Sequence, residues 1–214
     1  MSKTRNSLLM NIISIIKYSI IFLCLIQIPK AKANSVIELT VKCYGPGKKW
    51  VNVISNSFEV PSKVTINGNE HHHNDLKWME LDPGVYDIVV TFNKELSSYE
   101  NMFHELENDE ITLVNFKPGK KSMSNMFSGS NLKKIMFKNI DTSAVEDMSY
   151  LFSASKSLEE IDLSEFDTSS VKNMNSMFRE CEQLKVIDAS SFDTSQVTNM
   201  YDIFGYCKNL VYIR

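Results

Sequence analysis

Catalytic equipment is what this chain most lacks. Its four histidines are His71-His72-His73 and His104, and it holds no G-x-S-x-G or H-E-x-x-H motif. The run Gly119-Lys120-Lys121-Ser122 misses the earlier glycine and the order of a phosphate loop. An enzyme is not expected. Three adjacent histidines cannot all face one ion in an extended chain, and no cysteine or carboxylate stands close by at ligand spacing. The run therefore reads as a solvated loop, with no metal or other cofactor expected. Seven glycines and five prolines form no linker-like tract, which argues against domains joined by a tether. There is no N-x-S/T sequon.

Long apolar runs are also scarce. Residues 1–33 carry Lys3 and Arg5, an apolar stretch from Ile12 to Ile28 interrupted by Lys17, and then Ala31-Lys32-Ala33. That is the layout of a secretory signal peptide cleaved before Asn34. The uninterrupted part is too short for the roughly 20 residues of a spanning helix, so no membrane span is expected after cleavage. Removing the leader's five basic residues leaves 18 positive against 26 negative charges. From Ile140 onward there are 13 acidic and 6 basic residues, so the excess sits in the last third of the chain. An acidic surface repels phosphate backbones, and nucleic acid is not an expected partner.

Cysteine is sparse too. Outside the leader there are Cys43, Cys181 and Cys207. The last two hold one repeat position, and rungs about 4.8 Å apart are close enough to be bridged by a disulfide. The alternative is a ladder of small buried thiols filling the space that Ser155 fills one copy earlier.

What the chain does have is repetition. Phe166 opens FDTSSVKNMNSMFRECEQLKVIDASS, Phe192 restarts it, and Ile140 opens an earlier copy, a step of 26 residues each time. Two looser copies precede these, giving five, with a phenylalanine column at Phe103, Phe127, Phe152, Phe178 and Phe204 spaced by 24, 25, 26 and 26 residues. A fixed period of this size marks coils that bury their apolar side only by stacking. In each copy a stretch such as Leu158-Glu159-Glu160-Ile161-Asp162-Leu163 alternates like a half-buried strand. Stacking predicts inner columns of Ile111, Ile135, Ile161, Ile187 and Ile213, and of Leu113, Phe137, Leu163 and Ala189. The return leg, Val171, Met174 and Met177-Phe178, is apolar at a spacing of three, which predicts a helical or 3₁₀ turn. Thr168 or Ser169 would cap that turn and Asp167 would close the preceding bend, so Asp141, Asp167 and Asp193 are read as structural.

Residues 34–94 read as short strands with turns at Gly45-Pro46-Gly47, Asn67-Gly68 and Asp82-Pro83-Gly84. Phe92 lies 24 residues before Phe116, so Val85 to Phe92 is expected to be the first rung of the stack. The expected fold is a β/α solenoid, a leucine-rich-repeat-like parallel sheet with short helical return legs over residues 95–214, behind a β-rich cap over residues 34–94.

The L-x-x-I-x-L core of Leu158 to Leu163, with FDTS-x-V-x-x-M-x-x-M-F at Phe166 to Phe178 and Cys181, resembles the BspA-like leucine-rich-repeat surface proteins of bacteria and protists. The resemblance is close over Met123 to Arg214 and looser over Leu96 to Lys121. It implies a secreted or surface-displayed protein that adheres to host or neighbouring-cell proteins, with no catalytic residues to carry over.

A stacked sheet offers a partner its outward face. Alternation places Glu110, Lys134, Glu160, Val186 and Tyr212 there in one column, and Thr112, Met136, Asp162, Asp188 and Arg214 in the next. The candidate binding residues are Glu110, Thr112, Lys134, Met136, Glu160, Asp162, Val186 and Asp188. Glu110, Lys134 and Glu160 alternate in sign and can pair across strands. Asp162 beside Asp188 is repulsive, so the two either splay into water or are relieved by a cation or basic partner. Two functions follow as expectations. One is an adhesin-like binding module on a protein ligand; the other is a structural protein that self-associates end to end through its last coil, where Arg214 stops inside a strand, or a truncated gene product with no ligand of its own, which would look the same.

Overall fold

The computed structural model describes residues 35–43, 49–55, 58, 60–71, 78–92, 96–106, 109–119 and 122–214. The expected signal peptide, the Gly45-Pro46-Gly47 turn and His72-His73 lie outside the described residues. Eleven strands are described and no α- or 3₁₀-helix.

The largest sheet has seven strands side by side in the order β4 (Asn69–Glu70), β3 (Lys63–Ile66), β6 (Gly84–Thr91), β1 (Val36–Cys43), β7 (Glu110–Val114), β8 (Lys134–Lys138) and β9 (Glu160–Ile161). At its centre is β1 (Val36–Cys43), whose period-two alternation buries Ile37, Leu39, Val41 and Cys43. Antiparallel to it on one side runs β6 (Gly84–Thr91), which buries Ile88 and Val90 and pairs in turn with β3 (Lys63–Ile66). A hairpin joins β3 to β4 (Asn69–Glu70) through Asn67-Gly68, at φ 50° and 80°. Positive φ at both central residues makes the tight turn whose twist matches the strands, and asparagine followed by glycine tolerates it best. A separate antiparallel pair is formed by β2 (Lys49–Asn52) and β5 (Trp78–Leu81).

On the other side of β1 the repeats begin. β7 (Glu110–Val114) is antiparallel to β1, then β8 (Lys134–Lys138) and β9 (Glu160–Ile161) continue in parallel, with Ile111, Ile135 and Ile161 in register. β10 (Val186–Ile187) and β11 (Tyr212–Ile213) form a parallel pair of their own with Ile187 opposite Ile213. The expected first rung is thus corrected. β1, not the Val85 to Phe92 strand, neighbours the first repeat, and it runs the opposite way. Leu39 facing Leu113 and Val41 facing Ile111 supply the apolar partners that the first repeat strand needs.

The expected β/α solenoid is overturned as well. The sheet is mixed, with antiparallel strands through β1 and β7, and the return legs are turns rather than helices. The physical reason is left-handed backbone at two positions in every copy. Asn101, Asn125, Tyr150, Ser176 and Asp202 have φ between 54° and 59°, and Glu105, Gly129, Ala154, Glu180 and Tyr206 have φ between 55° and 68°. A left-handed residue every fourth position cannot belong to a right-handed helix. Amides instead alternate in their use. Met148, Tyr150, Phe152 and Ala154 donate to Asn173, Asn175, Met177 and Arg179 of the next coil at 2.7–3.0 Å, while Leu151, Ser153 and Ser155 close β-turns on Met148, Tyr150 and Phe152. Such turns repeat an inward-facing residue every three or four positions, which imitates helical spacing.

Between coils the packing is regular. Phe103, Phe127, Phe152, Phe178 and Phe204 stack with ring centroids 5.0–5.6 Å apart and planes within 24°. One apolar core runs from Ile37 to Ile187. Thr142 and Thr168, both buried, link coils at the FDTS bend. The Thr168 hydroxyl donates to the Asp193 carbonyl at 3.0 Å and accepts from the Asp193 amide at 2.8 Å, and Thr142 does the same with Asp167 at 2.9 and 3.0 Å. Thr168 is therefore an inter-coil tie and not a helix cap. Asp167 closes the bend that follows it, accepting from the Ser169 amide at 3.0 Å and hydroxyl at 2.7 Å.

Candidate binding groove on the outward sheet face

The outward columns are set by strand register. Glu110, Lys134 and Glu160 stand side by side across β7, β8 and β9, with Thr112 beside Met136 in the next row. Val186 faces Tyr212 across β10 and β11. Lys42 of β1 extends the first column with an ion pair to Glu110 at 3.0 Å, and Lys134 pairs with Glu160. The hydrogen bond from Lys134 to the Glu160 carboxylate holds the ammonium above its usual pKa, with Glu110 adding to the attraction. The column is thus an alternating ladder of charge, worth a few tenths of a kcal/mol per rung, about the usual cross-strand value.

Asp162 and Asp188 do not repel their way to neutrality. Asp162 accepts from the Ser164 amide at 3.0 Å and Asp188 from the Ser190 amide at 3.0 Å. These serine contacts hold both carboxyls below the usual carboxylate range. Arg214, one coil further on, lies 3.7 Å from Asp188 and supplies a cation.

The parallel ladder stops between β9 and β10. Glu159 donates to the Lys133 carbonyl at 2.8 Å and Val211 to the Lys185 carbonyl at 2.9 Å, yet among the described residues no strand pairing joins the coil of Glu160 to that of Val186. On the return-leg side the same two coils remain tied, Phe152 to Met177 at 2.9 Å. The stack is therefore splayed on its sheet side only. A groove of about 470 Å³ opens there, lined by Lys134, Met136, Glu160, Asp162, Val186 and Asp188. Six of the eight residues proposed from alternation meet in this one place. Glu110 and Thr112, two coils back, are not part of it.

Three further lining residues escaped the sequence reading: Glu159 and Lys185, just before the strands, and Ile161. Alternation places Ile161 in the inner column, but the splay leaves it partly exposed while Ile135 and Ile187 are buried. Glu159 and Lys185 hold equivalent positions one period apart, so the signal lay in the repeat itself. With four carboxylates and two lysines around it, the groove is acidic and offers carboxylate acceptors beside a small apolar floor.

Cys181 and Cys207 are free thiols, each pointed at the preceding coil. Cys181 donates to the Phe152 carbonyl at 3.2 Å and Cys207 to that of Phe178 at 3.0 Å. Ser155 makes the same contact with Phe127 at 2.9 Å. Burial raises both thiol pKa values, so neither is a ready nucleophile. Asp141 and Asp193 close bends on Ser143 and Ser195. Among the described residues no group of three histidine, cysteine or carboxylate side chains is placed to hold a metal, and no helix is long and apolar enough to cross a membrane.

No curated protein and no solved structure matches the chain. Residues 121–212, which span the better-defined repeats and six of the eight candidate residues, match the family described as "Mycoplasma protein of unknown function, DUF285".

Proposed function

We propose that this chain is a secreted or cell-surface protein-binding module of the BspA-like kind, adhesin-like in activity, that engages its ligand through the outward face of the repeat sheet. The observation that carries the reading is the convergence of Lys134, Met136, Glu160, Asp162, Val186 and Asp188 on the groove at the β9–β10 splay. The repeat motif and the family match over residues 121–212 support placing it among surface proteins of that group. An acidic groove with Val186 half exposed suits a protein partner that presents lysines or arginines around an apolar side chain, because complementary charge steers encounter and an apolar contact adds residence. Immobilised residues 34–214 probed with a panel of purified matrix and cell-surface proteins test this. The double variant Glu160→Lys, Asp162→Lys is expected to weaken the captured partner at least about tenfold. Unchanged capture would remove the groove from the binding surface.

A second reading, a structural protein that assembles end to end, draws on the last coil. There Val211, Tyr212 and Ile213 are 84, 54 and 46 % exposed. The opposite end of the repeats is already engaged, since the Ser55 amide donates to the Met102 carbonyl at 2.8 Å. A second copy stacking head to tail would have to displace that contact, which disfavours assembly. Sedimentation over a dilution series separates the two readings: concentration-dependent growth in mass favours assembly, a dilution-stable monomer the binding module.

A further inference from the structure

A second cleft lies on the return-leg side, away from the sheet. It holds about 490 Å³ and is bordered by Tyr150, Tyr201 and Tyr206 around Arg179 and Asp202. Tyr201 and Tyr206 are 76 and 65 % exposed and Tyr150 38 %. These are not all surfaces awaiting another coil. Tyr150 belongs to a coil with neighbours on both sides, and Glu180, which holds Tyr206's position one coil earlier, is likewise not buried there.

The polar centre of this cleft is held in place. Arg179 donates from Nε to Asp202 Oδ2 at 2.8 Å and from Nη1 to Glu180, and its guanidinium carbon lies 4.8 Å from the centre of the Tyr206 ring. Gly205 makes this possible. A Cβ at that position would fall 2.0 Å from Asp202 Oδ1, so any larger residue would push the carboxylate off Arg179. The other coils carry His104, Ser128, Ser153 and Arg179 at the Gly205 position, and the arrangement is confined to the last coil. Asn175 donates to the Tyr150 hydroxyl at 2.9 Å, which orients that ring.

We infer that the Tyr150–Tyr201–Tyr206 cleft is a binding site for a neutral saccharide. Sugar rings present an apolar C–H face and a rim of hydroxyls that both donate and accept. Aromatic faces suit the first, and a fixed guanidinium–carboxylate pair suits the second, with Arg179 Nη2 left to donate and Asp202 Oδ1 to accept. Charge narrows the class. One arginine against Asp202 and Glu180 leaves the centre net negative, so anionic sugars and phosphates are disfavoured. A proline-rich peptide would use the tyrosines but leave the Arg179–Asp202 pair unanswered. The cleft is built from the return legs, so this inference does not depend on the outward sheet face.

The test is an NMR titration of residues 34–214, following the Arg179 Nε–H and the tyrosine ring signals. The probes are cellotriose, maltotriose, mannotriose and triacetylchitotriose, with a heparin trisaccharide and decaproline as competitors for the assignment. At least one neutral trisaccharide is expected to shift these signals at about 10 mM or below, the range of weak specific binding. Tyr201→Ala, at an exposed position that leaves the core intact, is expected to lower its affinity about tenfold, as loss of an aromatic anchor does. Gly205→Ala is expected to weaken binding and to move the Arg179 Nε–H signal before any ligand is added. The inference is overturned if no neutral saccharide shifts the cleft signals, if only decaproline or the heparin fragment does, or if saccharide binding is indifferent to both substitutions.

Discussion

At the scale of single residues, the FDTS motif divides its labour in a way its repetition conceals. The aspartate and the serine serve their own bend, while the threonine serves the neighbouring coil. Thr168 is 1 % exposed and satisfies both the amide and the carbonyl of Asp193. Thr168→Val keeps the shape and leaves two backbone groups without that partner. It is expected to cost about 1–3 kcal/mol in urea unfolding, against at most about 1 kcal/mol for Ser169→Ala at the exposed surface. Equal losses would show that the tie between coils carries no special weight.

The same bends set a pH dependence. Asp141 is held below the usual carboxylate range by the Ser143 hydroxyl and amide, Asp162 and Asp193 by the amides of Ser164 and Ser195 and then their hydroxyls, and Asp188 by the Ser190 hydroxyl and amide. A folded pKa below the unfolded one favours the ionised form in the fold. The contribution is therefore complete above the unfolded value of about 4 and is lost as pH falls through the folded values. Stability is expected to decline on acidification below about pH 4, and the combined variant Ser143→Ala, Ser164→Ala, Ser190→Ala, Ser195→Ala to decline less steeply. An unchanged slope in the quadruple variant would rule out the serine hydroxyls as its source and leave it to the backbone amides of these bends.

At the scale of the element, the return leg is decided by chirality. Apolar residues at a spacing of three were legible in the sequence, and a helix was the simplest element with that period. The left-handed positions were not legible in the three regular copies, because tyrosine, alanine, serine, glutamate and aspartate occupy them there, and only the looser copies carry asparagine or glycine, at Asn101, Asn125 and Gly129. The cost of a side chain in that conformation is borne because four amides per coil gain partners in the next coil. Ala154, at φ 56°, has no polar side chain to offset its strain. Ala154→Gly is expected to raise stability by about 0.5–1 kcal/mol, with relief of left-handed strain exceeding the added entropy of the unfolded chain. A loss of that size would mean that the return legs tolerate left-handed residues without strain.

Across the whole molecule, the five phenylalanines and the isoleucine column make one interior out of separate coils. Because the core passes without a break from β1 into the repeats, the 34–214 region is expected to unfold in one transition by both far-UV circular dichroism and tyrosine fluorescence. Phe152→Ala, at a ring fully buried between Phe127 and Phe178, should shift both curves together by about 3–5 kcal/mol. Separate shifts would mean that the N-terminal strands and the repeats fold independently.

The sequence alone determined the period, the side chains that face outward and the inner columns, apart from Ile161 and Ile213, which the structure leaves partly exposed and exposed, because each depends only on which residues recur at which spacing. It also held the choice at the cysteines, a bridge or a ladder of thiols, without making it. Only the tertiary structure decided that β1 runs antiparallel beside the first repeat, that the return legs are left-handed turns, and that the sheet parts between β9 and β10 to open a groove. Those outcomes rest on how a backbone shares its hydrogen bonds with chain distant in sequence, and that competition leaves no mark on the local pattern of apolar and polar residues.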